Sequence, residues 1–203
     1  SGKRDQLLTV ILDDVNRLDR LITDISDSSR LDAELSRETF EPIDIKSLLL
    51  AFHELRKFQK RFEQKLLTIN IRKDENQPLI FGHEGRIVQV IDNIVDNAVS
   101  FAPTNSKINI TLCANTTNVK ITIDDEGPGI PKNKLDSIFE RFYSERPPAE
   151  KFGLHSGLGL SICKQIIEAH NGKISAENRT DYQNDITGAQ FVITLPIMNK
   201  GEV

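Results

Sequence analysis

In the run RIVQVIDNIVDNAVSF at 86–101, the amides Gln89, Asn93 and Asn97 fall at i, i+4 and i+8. On a helix they project side by side from one face. Val90, Ile94 and Ala98, joined by Ile91 and Val95, draw an apolar ridge beside them. Asparagine is a poor helix former, and a solvated face is usually built from Lys, Glu and Arg instead. The row is either an unusual solvated face or a working one. If it works, its amide oxygens are neutral, hard ligands, suited to holding Mg²⁺ beside polyphosphate without repelling it.

Two further runs carry chemistry. IDDEGPGIP at 123–131 follows a strand pattern, and Asp125-x-Gly127-x-Gly129 places a carboxylate at the strand end. The two glycines stand where a flat ring could press close to backbone. A carboxylate accepts from an exocyclic amine and so would select adenine over guanine. A tight turn capped by Asp is the plainer alternative. In HSGLGLSICKQIIEAHNG at 155–172, Gly157 and Gly159 open a helix whose free N–H groups and positive dipole end attract phosphate. Gly-x-Gly before a helix is weak evidence by itself. Arg146, Lys151 and His155 in the preceding loop either fold over the anion as a lid or are ordinary solvated charges.

The elements that must position these runs are legible in outline. Leu8, Ile11, Val15, Leu18, Ile22 and Ile25 step by three and four, one narrow apolar seam along a terminal helix. Such a helix is marginal alone and is expected to pack in an intermolecular bundle, with an antiparallel partner in the same domain as the alternative. From about Phe40 an α/β unit begins. Ile45 to Phe62 reads as an amphipathic helix, with Ile45, Leu48, Leu49, Phe52, Leu55 and Phe58 on one side. Leu66 to Ile71 reads as a strand, and 107–112 and 119–124 as a hairpin around Asn-Thr-Thr-Asn. Lys134 to Tyr143 is expected as a short helix, Ser144 to Ser156 as a loop and Gly157 to Ala169 as a helix stopped by Asn171-Gly172. Strands at 173–176 and 190–195 complete an α+β chain, a mixed sheet with helices on one face: an α/β sandwich.

The 203 residues, 38% hydrophobic, suffice for a real core, and the net charge of −4 argues against nucleic acid as a partner. No run approaches the apolar length that crosses a bilayer. Cys113 and Cys163 sit among apolar residues and are expected as reduced core thiols.

Together, in this order, the three runs resemble the catalytic ATP-binding domain of two-component sensor histidine kinases, within the gyrase, heat-shock-90, histidine-kinase and MutL superfamily (the Bergerat or GHKL fold). Asn93 and Asn97 match its asparagine box, Asp125 to Gly129 its first glycine box, 138–142 (IFERF) its phenylalanine box and Gly157 to Leu160 its second glycine box. The leading VNRLDRLITDISDSSRLDAEL is similar to the second helix of the dimerisation and phosphotransfer hairpin. This divides the chain at 1–38 and 39–203. The details SFAP, FYSERPPAEKFGLHSGLGLSICKQIIEAH and GAQF most resemble the ChvG/BvrS-type subfamily of alphaproteobacteria.

The resemblance implies a role for each matching residue. Asp125 would accept from the adenine amine, with Gly127 in its turn and Gly129 against the ring. Asn93 would hold Mg²⁺, and Asn97 would bridge metal and phosphate. The segment from Gly157 onward would meet the phosphates through the amides of Leu158, Gly159 and Leu160. Lys151 or Arg146 would close over them, and Ile130 and Tyr143 complete the ATP-binding set. Gln89 occupies the place of the glutamate that activates water in related ATPases; glutamine cannot act as that base, which favours phosphoryl transfer over hydrolysis. Ser100, His83 and Ala189 depart from the general pattern, where a lysine, an acidic helix start and a threonine are common.

His53 in AFHELRK is an accidental match to a phosphoacceptor motif. No proline follows Arg56 at the expected spacing, and the segment lies after the matching hairpin helix rather than before it. The resemblance therefore implies an acceptor helix upstream in a longer protein, with the membrane sensor also upstream and this portion cytoplasmic at the inner membrane. It implies a chain that does not phosphorylate itself, a homodimer through the hairpin and a response regulator as partner. The rival readings are a superfamily ATPase or an anti-sigma-type serine/threonine kinase, or a non-catalytic module that dimerises and docks a regulator.

Overall fold

The computed structural model describes residue 15 and residues 38–56, 66–71, 79–141, 143 and 157–198. The expected terminal helix falls outside the described residues, apart from Val15, which is helical, and the expected division at residue 38 lies where the continuous description begins, at Glu38.

Seven strands and three α-helices are described: β1 (Glu41–Asp44), α1 (Ile45–Arg56), β2 (Leu66–Ile71), β3 (Leu79–Gly82), α2 (Glu84–Phe101), β4 (Lys107–Ala114), β5 (Asn118–Asp124), α3 (Gly159–Ala169), β6 (Lys173–Thr180) and β7 (Ile186–Pro196). The main sheet runs β2-β4-β5-β7-β6, with β2 parallel to β4 and every other pair antiparallel. One face is apolar and alternates as a half-buried sheet must: Ile108, Ile110 and Leu112 on β4, Val119, Ile121 and Ile123 on β5, and Phe191, Ile193 and Leu195 on β7 are all buried. Ile87, Val90, Ile91, Ile94 and Ala98 of α2 and Ile162, Cys163, Ile166 and Ile167 of α3 join them in one core. This is the expected sandwich, with helices on one face of a mixed sheet.

Local chemistry fixes the ends of the elements. Asn115 Oδ1 accepts from the N–H groups of Thr117 (2.9 Å) and Asn118 (2.7 Å), closing the β4–β5 hairpin. Asp44 caps α1 through the N–H groups of Lys46 and Ser47. α3 stops at Asn171, whose φ of 54° is left-handed. The N–H of Gly172 then reaches the carbonyl of Ile167 (2.9 Å), and that of Asn171 reaches Glu168 (3.0 Å).

Several expectations need correction. Lys134 to Tyr143 is not a helix but two 3₁₀ turns, Lys132–Lys134 and Ser137–Phe139, separated at Leu135 and Asp136. Neither turn has a side-chain cap. Ile138 and Phe139, adjacent and both buried, anchor the segment instead, Phe139 standing edge-on to Phe191 at 6.5 Å. The ribbon β1–β3 was not expected. Leu55 is 73% exposed rather than part of the apolar face of α1, and the stretch beyond Arg56 lies outside the described residues. Cys163 is buried, whereas Cys113 is only half-buried.

Candidate functional site

Asp125 follows the last residue of β5 and is 4% exposed. Its Oδ1 accepts from the N–H of Gly127 (2.7 Å) and of Ala189 (3.0 Å). Oδ2 has no partner among the described residues. The plain turn and the working carboxylate are thus both present: one oxygen closes the turn and the other is left over. Burial pushes the Asp125 carboxyl above the ordinary aspartate range, against the two N–H groups and nearby Arg179, which favour the anion. Arg179 Nη1 also donates to the Asp125 carbonyl (2.8 Å).

The glycines of this loop are explained by the protein's own packing. A Cβ on Gly127 would lie 2.9 Å from Asp125 Oδ1 and 3.4 Å from the main chain of Phe101, at the end of α2. Gly129 has φ +76°, and a Cβ there would strike Asn178 and Ile186. Neither glycine needs a purine ring to account for it.

On α2, Asn93 donates from Nδ2 to the carbonyl of Gly159 (3.4 Å), and one turn further along α3 the Cys163 thiol donates to the Val90 carbonyl (3.7 Å). The first of these bonds turns the Asn93 nitrogen toward α3 and leaves Oδ1 unused. The Asn97 amide has no partner among the described residues. Gln89 leaves the row: its Oε1 accepts from Arg86 Nη1 (3.2 Å), and Arg86 also holds Glu38 (2.6 Å). That guanidinium keeps the Glu38 carboxyl below its usual range.

α3 begins at Gly159 rather than Gly157, which has φ +74° and lies outside the helix. Leu158 precedes the helix without a side-chain cap, its side chain buried in the core. The N–H groups of Gly159 and Leu160 have no helical carbonyl within reach. The three runs therefore meet on α2, with the Gly127 loop against Phe101 and the start of α3 against Asn93. Eight residues separate these contacts, about 12 Å along the axis, enough to lay a nucleotide from base to phosphates. Ile130 is partly buried beside the loop, and Tyr143 is half-buried under Lys134 Nζ, 5.5 Å from the ring centre. Arg146 and Lys151 lie outside the described residues.

Sequence reasoning missed the contributions of β6 and β7. Ala189 holds Asp125 through its main chain, which any residue type could do, so the usual threonine is not needed for that bond. A glycine inside a strand, Gly188 in GAQF, was the available signal for a close backbone approach.

Burial against α2 pushes the Cys163 thiol up to about 12, so it stays protonated and unreactive at working pH. Alkylation of the native protein at pH 8 is expected to label Cys113 alone, with Cys163 reacting only after unfolding. Peptide mapping by mass spectrometry checks this.

Residues 82–199 match the family described as histidine kinase-, DNA gyrase B-, and HSP90-like ATPase. Over 199 residues the chain is 44% identical to the Sensor protein ChvG of Rhizobium meliloti (strain 1021), covering 95% of this chain and 34% of that protein. It is 41% identical to the Sensor protein ChvG of Agrobacterium fabrum (strain C58), covering 95% and 33%. The crystal structure of histidine kinase ThkA in complex with response regulator protein TrrA is similar with a TM-score of 0.70 at 26% identity, covering 95% of this chain and 51% of that one. The chain spans about a third of the length of the curated relatives it matches. With the asparagine row, the strand-end carboxylate and the glycine-opened helix gathered on one sandwich, the chain belongs to the histidine kinase-, DNA gyrase B- and HSP90-like ATPase family, on the side of the sensor histidine kinases.

Proposed function

We propose that this chain is the catalytic portion of a two-component sensor histidine kinase. In this reading it binds Mg-ATP along α2 and passes the γ-phosphoryl to a histidine on a separate helix, from which it moves to an aspartate of a response regulator. The observation that carries the reading is the meeting of the three runs on one helix, base-reading carboxylate at one end and glycine-opened helix at the other.

Asp125 Oδ2 accepts from the adenine amine, and the first N–H groups of α3 face the phosphates. For a divalent cation the donor set fits. Asn93 Oδ1 and the Asn97 amide stand one helical turn apart, neutral and without partners among the described residues. Mg²⁺ held there would supply charge neutralisation for the phosphates. Lys151 or Arg146, both outside the described residues, would supply positive charge to the triphosphate. Gln89, occupied by Arg86 and without a basic atom, gives water no activation, which suits transfer over hydrolysis. His53 Nε2 lies 3.1 Å from the Leu67 carbonyl and both ring nitrogens of His170 are engaged, so the accepting histidine is sought elsewhere. The full protein would dimerise through its helical hairpin and reach the membrane through other segments; among the described residues no helix is long and apolar enough to cross one.

Calorimetric titration with ADP tests the reading. Binding is expected to tighten with Mg²⁺, and Asn97→Ala to remove about tenfold of that gain, the worth of one polar contact. A parent chain that takes up no nucleotide would leave the non-catalytic docking module as the better account.

A further inference from the structure

β6 holds two side chains that the nucleotide reading does not use, and both reach the 125–130 loop. Asn178 lies opposite Ala189 in the β6–β7 ladder. Its Oδ1 accepts from the Ile130 N–H (2.7 Å) while its Nδ2 donates to the Ile130 carbonyl (2.6 Å). One side chain thus satisfies both main-chain groups of one residue, as a neighbouring strand would. The next residue, Arg179, donates to the Asp125 carbonyl. Successive strand residues normally face opposite sides. Here they reach the same loop, beside the point where the ladder shifts register between Arg179 and Thr180, an irregularity of the kind that re-aims side chains.

The loop needs such a tether. Asp125 is fixed at its own end by Ala189, but Glu126-Gly127-Pro128-Gly129 follows, and its two glycines have the most backbone freedom to lose on ordering. We propose that Asn178 is a positioning residue for base recognition: its paired bonds to Ile130 set the spacing between Asp125 and the Gly129-Ile130 main chain. It thereby governs discrimination among purines without touching the nucleotide. The inference rests on the ATP reading above. Without the clamp the base gains room to slide, and the directional bond to the exocyclic amine suffers more than non-specific contacts do.

Affinities of the parent, Asn178→Ala and Asn178→Asp for ADP and for IDP, in which a carbonyl replaces the amine, provide the test, alongside thermal unfolding. Asn178→Ala removes both bonds. Asn178→Asp keeps the volume and the bond from the Ile130 N–H, but sets an oxygen against the carbonyl, and it supplies the answer should the alanine variant unfold. Both are expected to weaken ADP binding about tenfold and IDP binding much less, shrinking the ADP-to-IDP preference while Tm stays near the parent's. A preference equal to the parent's, whether or not overall affinity or Tm falls, overturns the clamp. A parent that binds neither nucleotide overturns the ATP reading itself, a distinct outcome.

Discussion

Asp125→Asn is expected to weaken ADP binding on the order of 100-fold, the worth of one charge-assisted hydrogen bond turned into a clash of donors, without lowering Tm at neutral pH. Asparagine keeps the Oδ1 acceptor that takes the Gly127 and Ala189 N–H groups, so the turn survives. What changes is the second atom, from an acceptor to an NH₂ that faces the adenine amine. The inosine carbonyl would match that NH₂, so the variant should prefer IDP to ADP where the parent prefers ADP.

Stability follows from the raised Asp125 pKa. An acid whose folded pKa lies above its unfolded value destabilises the fold once ionised. The penalty grows as pH rises through the unfolded pKa and levels off above the folded one. Asparagine has no such penalty, so its Tm should match or exceed the parent's at pH 7, with any difference vanishing in acid, where both side chains are neutral. For the same reason parent ADP affinity should fall on acidification before ordinary aspartates titrate. A variant that loses ADP binding only because it unfolds would remove Asp125 from the role of base reader.

The site was legible in the sequence where its signal is local. Two asparagines four apart beside the apolar ridge of a helix have few structural reasons to be there, and the structure leaves an oxygen on each without a partner among the described residues. The β4–β5 hairpin and the stop of α3 were likewise written in turn chemistry, although the left-handed residue is Asn171 and not the glycine after it. Gly172 is needed for another reason: a Cβ there would meet the Thr194 carbonyl at 2.6 Å.

What escaped depends on contacts between distant segments. The strands β1 and β3 are four residues each, too short for alternation to register, and each finds its partner only across α1 and β2. Gln89 looked like a member of the amide row until Arg86, held by Glu38 48 positions earlier, claimed its oxygen. The roles of Gly127 and Gly129 were attributed to a ring because the residues that fill their space, Phe101, Asn178 and Ile186, come from other elements. A backbone N–H such as that of Ala189 has no sequence signature at all.

Gly188 shows how firmly β7 and the Asp125 loop depend on each other. Its φ of +153° lies where side chains are rarely found, and a Cβ would fall on the Asp125 carbonyl, with Glu126 Cα at 3.2 Å. The obstacle is main chain, so no rotamer change relieves it. Moving β7 away would strain three bonds together: Ala189 N–H to Asp125 Oδ1, Asp125 N–H to the Ala189 carbonyl, and Arg179 to the Asp125 carbonyl. Gly188→Ala is therefore expected to cost about 3 kcal/mol or more, a fall in Tm of roughly 6–12 °C for a domain of this size, and to abolish measurable ADP binding. Gly159→Ala provides the contrast. A Cβ there meets only the Asn93 side chain, at an ordinary 3.8 Å, and the position is helical, so Tm should hold or rise slightly. Yet the methyl group points into the space beside Asn93 where the phosphates are placed, so affinity should still drop. Thermal unfolding and ADP titration of the two variants separate a glycine required by the fold from one required by the ligand. If Gly188→Ala keeps both the parent's Tm and its affinity, β7 does not brace the carboxylate, and the base-reading geometry must be held from elsewhere.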